Sequence, residues 1–110
     1  MKFGLKEETV AKINSVFKKH PEVEEVIIYG SRAKENYRDG SDIDLSIKGG
    51  LMTNSVLSKI NCEIDELNTP YLFDISILDQ LNSSDLKEHI HRVGKVFYKK
   101  QEIEMISNKN

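Results

Sequence analysis

The stretch from Gly30 to Leu45, Gly-Ser-Arg-Ala-Lys-Glu-Asn-Tyr-Arg-Asp-Gly-Ser-Asp-Ile-Asp-Leu, constrains this chain more than any other part of it. It sets a Gly-Ser pair straight after an apolar run, and two aspartates, one residue apart, at the head of a second apolar run. Successive side chains on a strand point to opposite faces. Over 42–47 that alternation puts Asp42, Asp44 and Ser46 on one face and Ile43, Leu45 and Ile47 on the other. Such a segment suits a half-buried strand: its apolar face goes to a core, and two carboxylates are left side by side at its start.

The rest of the chain supplies partners for that strand. Residues 5–20 read as a helix, with Leu5, Ile13, Val16 and Phe17 forming an apolar stripe near Thr9 and Val10, and Pro21 stopping it. Residues 23–29 are β-branched and apolar and read as a strand ending at Gly30, followed by a short helix or turn over 31–36 and a turn at Asp39-Gly40. Lys48-Gly49-Gly50 ends the second strand. A long helix over 51–67 carries Val56, Leu57, Ile60, Ile64 and Leu67 at helical spacing, and a third strand covers 71–78. Ser83 or Ser84 caps a third helix that runs to about Val93 and ends near Gly94. Residues 96–98 form a short edge strand, and the tail from about 101 to 110 frays. Strands alternating with helices predict an α/β fold, a small mixed β-sheet flanked by helices, as one domain over 1–110.

Composition narrows the function classes. A net charge of −2 argues against a protein that coats DNA. No apolar run approaches the roughly 20 residues that span a bilayer, and the first residues lack the apolar core of a signal peptide, so the default location is cytoplasmic. Cys62 is the only cysteine, which excludes an internal disulfide and a cysteine zinc site; in its helix it reads as a buried small apolar residue. His89 and His91 stand two apart in a helix, where side chains do not face each other, and make a poor metal pair.

The chemistry concentrates on three aspartates, a Gly-Ser pair and an arginine. Close like charges repel unless a cation sits between them, and Mg2+ prefers carboxylates together with substrate phosphates and waters. Asp74 interrupts the apolar run Tyr71-Leu72-Phe73-Asp74-Ile75-Ser76-Ile77-Leu78, an expensive place for an unpartnered carboxylate. If its strand pairs beside 42–47, three aspartates on two neighbouring strands suit a two-metal site for phosphoryl chemistry. On the other side, Gly30 allows phosphate to approach the backbone, Ser31 adds a hydroxyl and Arg32 a forked cation, with Lys34 and Arg38 nearby. Each feature alone has an ordinary reading: a turn with an Asx cap, a strand-end aspartate, a loop start. Their joint order and strand context favour a phosphate-and-metal site.

Gly30-Ser31, ten residues, then Asp42-Ile43-Asp44 resembles the Gly-Ser-x10-Asp-x-Asp signature of the DNA polymerase β-like nucleotidyltransferases. The fuller run Gly-Ser-Arg-Ala-Lys … Arg … Gly-Ser-Asp-Ile-Asp-Leu looks like the minimal nucleotidyltransferase branch, and the likeness covers nearly the whole chain. One departure is Glu35, where many relatives have glycine. The resemblance implies the DNA polymerase β-like fold, with Asp42 and Asp44 as metal ligands for Mg2+ and Asp74 as the third carboxylate, a metal ligand or the base toward an acceptor hydroxyl. It implies that Gly30 and Ser31, with Arg32, bind the triphosphate. The implied reaction is transfer of a nucleoside monophosphate, AMP from Mg-ATP, to a hydroxyl. The core elements use almost the full length, so an acceptor brought by another molecule is expected. In the family, minimal nucleotidyltransferases are often the antitoxin of a pair with a helical HEPN-domain toxin, which some adenylylate on tyrosine. The alternatives are a non-catalytic antitoxin that neutralises its partner by complex formation, and a transferase acting on a small molecule or RNA end. Homo- and hetero-oligomers both stay open.

Overall fold

The computed structural model describes residues 2–34 and 42–101. Along these run helix α1 (Glu7–Lys18), strands β1 (Glu25–Tyr29) and β2 (Ile43–Lys48), helix α2 (Asn54–Asp65), strand β3 (Phe73–Ile77), a 3₁₀ turn at Leu78–Gln80, helix α3 (Ser84–Val93) and strand β4 (Lys95–Lys99). The strands make one mixed sheet in the order β3-β2-β1-β4. β1 is antiparallel to both β2 and β4, whereas β2 and β3 are parallel. A parallel pair needs a crossover, and α2 provides it.

Strand parity divides the sheet as the alternation of 42–47 requires. Val26 and Ile28 of β1 and Ile43, Leu45 and Ile47 of β2 are all fully buried on one face. They pack with Val10, Ile13, Val16 and Phe17 of α1 and with Ile60 and Ile64 of α2. Fully burying one such side chain is worth about 1.5–3 kcal/mol, so this face holds the fold together. α3 lies on the other face. Gly94, which follows it, passes so close that a Cβ there would stand 2.5 Å from Ile27 Cγ2.

Element ends differ from the sequence reading for local reasons. α1 starts at Glu7 because Leu5 pairs with Lys2 in an isolated bridge. Beyond its end, His20 Nε2 meets Glu63 Oε1 of α2 at 3.0 Å. α2 starts three residues later than expected because Thr53 caps it, its hydroxyl accepting from the Val56 N–H at 3.2 Å; Leu51 stays outside, 75% exposed. Cys62 is exposed, which corrects its assignment to the interior. It is two residues from both Ile60 and Ile64, and at 3.6 residues per turn that places it away from the buried stripe. Of the two candidate caps for α3, Ser83 holds the position, accepting from the Leu86 N–H at 3.1 Å. β4 is the expected edge strand, two residues longer. The Asp39-Gly40 turn, Glu35, Arg38, the end of the 31–36 turn and the tail beyond Gln101 lie outside the described residues. Among the described residues no helix is long and apolar enough to cross a membrane.

Candidate active site

The open end of the α3 face carries the acidic residues. Tyr29 of β1 stands in register with Asp44 of β2, and Asp44 with Asp74 of β3, so the three form one row across the sheet. The next row is Ile27, Ser46 and Ser76, in which the Ser46 and Ser76 hydroxyls lie 3.0 Å apart. Asp42 precedes β2 and is exposed; the Ile43 N–H beside it is anchored to the Leu72 carbonyl at 2.9 Å. The expected juxtaposition of Asp74 with Asp44 is thus built by the parallel register.

Gly30 connects this row to the following turn. Its φ of 77° lies in the left-handed region, and a Cβ there would fall 2.5 Å from Asp44 Oδ2. Glycine is needed twice over, to turn the chain and to let it run past the carboxylate. The Lys34 N–H then bonds to the Gly30 carbonyl at 3.2 Å, closing one helical turn with Ser31 half-buried and Ala33 packed into the core. Arg32, expected at the phosphates, packs against the start of the chain and Tyr71. It is 2% exposed, donates to the Phe3 carbonyl at 2.8 Å and lies 4.9 Å over the Tyr71 ring.

Electrostatics agree with a shared carboxylate site. The Asp44 carboxyl is raised above its ordinary pKa, first by burial and then by the charges of Asp74 and Asp42. The Tyr29 phenol is raised by burial, then by Asp74 and more weakly by Asp44, with the Ser76 hydroxyl opposing the shift. All three aspartates therefore act on one another or on a common neighbour. Among the described residues no three His, Cys, Asp or Glu side chains are gathered into a ready cation cage. Asp42 and Asp74 are exposed. The oxygen-only donor set and its mutual repulsion fit a hard divalent cation whose remaining ligands are phosphates and waters.

The chain matches the family model described as "Polymerase beta, Nucleotidyltransferase" over residues 11–103. It belongs to the polymerase β nucleotidyltransferase family. Among curated proteins none matches. Solved structures share the nucleotidyltransferase fold at low identity. One is a toxin–antitoxin structure with AMP-PNP, at 19% identity and a TM-score of 0.66, covering 96% of this chain and 83% of that one. A second is a tri-AMPylated Shewanella oneidensis HEPN toxin in complex with MNT antitoxin, at 16% identity and a TM-score of 0.62, covering 93% and 79%. A third is the toxin–antitoxin MntA-HepT, at 18% identity and a TM-score of 0.62, covering 94% and 82%.

Sequence reasoning put Ser46 on the carboxylate face but missed Tyr29, Ser76 and His89 as neighbours of Asp44 and Asp74. The His89 ring of α3 meets the Tyr29 ring edge-on, with centroids 6.4 Å apart. A signal for the serines was present: Asp44-Leu45-Ser46 and Asp74-Ile75-Ser76 repeat one Asp-x-Ser pattern on two strands. A wide concavity of about 930 Å³ between α1 and β4 is lined by none of the six expected site residues.

Proposed function

We propose that this chain is an antitoxin that transfers AMP from Mg-ATP to a hydroxyl of a HEPN-type toxin. The observation that carries the reading is the Gly30–Asp44–Asp74 juxtaposition, in which a left-handed glycine brings the start of the turn against a carboxylate paired in register with a second. The family assignment supports nucleotidyl transfer. The likeness in fold to an AMP-PNP-bound toxin–antitoxin structure and to a complex with a tri-AMPylated toxin supports the nucleotide and the partner.

In this reading Asp42 and Asp44, with Asp74, hold Mg2+. Bound there, the cation neutralises phosphate charge and lowers the pKa of the attacking hydroxyl. Gly30 leaves room at the backbone for the triphosphate, and Ser31 offers its hydroxyl to it. Asp74, on the outer strand β3 and exposed, is a ligand of that cation or the base that takes the acceptor proton. The acceptor oxygen forms a bond to the α-phosphorus, the bond to the β-phosphate oxygen breaks, and pyrophosphate leaves. Mass spectrometry of a HEPN-type partner incubated with the chain and Mg-ATP tests this: a gain of AMP on the partner is expected, and an unmodified partner refutes it.

A further inference from the structure

The concavity of about 930 Å³ between α1 and β4 is lined by every residue from 96 to 101 in succession. Side chains along a strand alternate between faces. A groove that touches each of them in turn therefore runs along the edge of the strand, not over one face. Among the described residues β4 has β1 as its sole strand neighbour, so this is the outer edge of the sheet. An edge strand presents a row of backbone N–H and C=O groups to any chain that pairs with it.

The groove is also basic. Lys2, Lys18, Lys99 and Lys100 line it, all four exposed, and no aspartate or glutamate does. Among the described residues no carboxylate is ion-paired with any of the four. Lys100 Nζ donates to the Pro21 carbonyl at 3.1 Å, which leaves its charge uncompensated. This concentration of cations stands in a chain whose net charge is −2.

We propose that the groove docks an acidic, extended segment of a protein partner, which adds to the outer edge of β4 as a fifth strand. Backbone hydrogen bonds along the edge supply affinity, and carboxylates meeting the lysines supply selection. A nucleic acid would satisfy the charges, but its phosphate backbone has no donors for the carbonyls of the edge. A second copy of β4 brings its own lysines, and like charges across strands repel. Six extended residues span about 20 Å, so a short linear segment fills the edge. β3, which carries Asp74, lies at the opposite side of the sheet and stays open when β4 is occupied.

Fluorescence anisotropy with labelled probes on the full chain tests this. The probes are a Glu-Val repeat decapeptide, a Lys-Val repeat, a Glu-Pro repeat whose prolines cannot donate, and an oligouridylate. The Glu-Val peptide is expected to bind saturably and the Lys-Val peptide not at all. The Glu-Pro peptide and the oligouridylate are expected to bind at least about 10-fold more weakly, for want of ladder bonds. Lys18→Glu on α1 and Lys99→Glu on β4, each with an unfolding curve, are expected to weaken the Glu-Val peptide by about 10-fold. Absence of Glu-Val binding, or equal binding to the parent and Lys18→Glu, overturns the proposal. Glu-Pro binding as well as Glu-Val leaves charge without strand addition, and tighter oligouridylate binding makes the groove a nucleic-acid site; either overturns it. A chain that sediments as a dimer and rejects the peptide gives the edge to a second copy. Peptide bound only by a chain carrying both Glu102→Lys and Glu104→Lys gives the groove to the chain's own tail, and both results overturn it too.

Discussion

A side chain on Gly30 would begin 2.5 Å from the Oδ2 atom of Asp44. Backbone and carboxylate are therefore fitted to each other with no room for a methyl group. Gly30→Ala also forces an L side chain into φ 77°, a left-handed conformation that costs roughly 1–2 kcal/mol. Denaturant unfolding is expected to show at least that loss, and transfer activity is expected to fall with the displaced carboxylate.

Asp44 is strained electrostatically, with a carboxyl raised above its ordinary value of 3.8. A carboxyl raised on folding favours the folded state while protonated and loses that contribution as pH rises through its folded value. Asp44→Asn removes the repelling charge. The variant is expected to melt above the parent at pH 7 without divalent cations, and the gap is expected to close as pH falls below the ordinary carboxyl range. A variant melting below the parent at neutral pH contradicts the shared-charge picture.

Divalent cation should reverse that order. A ligand that binds only the folded state at 100 times its Kd stabilises by about 2.7 kcal/mol. Adding Mg2+ is expected to raise the melting temperature of the parent and to leave Asp44→Asn almost unmoved, as read by differential scanning fluorimetry.

Arg32 is expected to report on the fold. Its guanidinium donates to Phe3 and covers Tyr71, tying the start of the chain to the loop before β3. Arg32→Lys keeps the charge but loses the planar fork and the stacking surface. It is expected to lower unfolding stability by roughly 1.5–3 kcal/mol, the range for hydrogen bonds to charged groups, with the KM for Mg-ATP unchanged at a temperature where the variant is folded. A raised KM with intact stability would return Arg32 to the phosphates.

Period-two parity made the carboxylate face legible in the sequence, because a strand allows only two directions for a side chain. Asp42, Asp44 and Ser46 shared that face on paper, and the parallel pairing of β2 with β3, on which the place of Asp74 depended, brings Asp44 and Asp74 into one row. Arg32 was not legible: a long side chain reaches many partners, and the carbonyl it takes is 29 residues away at Phe3. The misplacement of Cys62 had a simpler cause. Helical content is evident from Ile60 and Ile64, and the helical phase between them turns Cys62 outward.

Transfer itself is tested most directly with ATP labelled at the α-phosphate. The parent chain and Asp44→Asn are each incubated with Mg2+ and a HEPN-type partner, and label on the partner is followed over time. Label appearing with the parent, and at least about 100-fold more slowly with Asp44→Asn, is the predicted result, since even outer-shell changes around a metal cost 10–100-fold. A partner left unlabelled by the parent, or labelled equally by both, contradicts it.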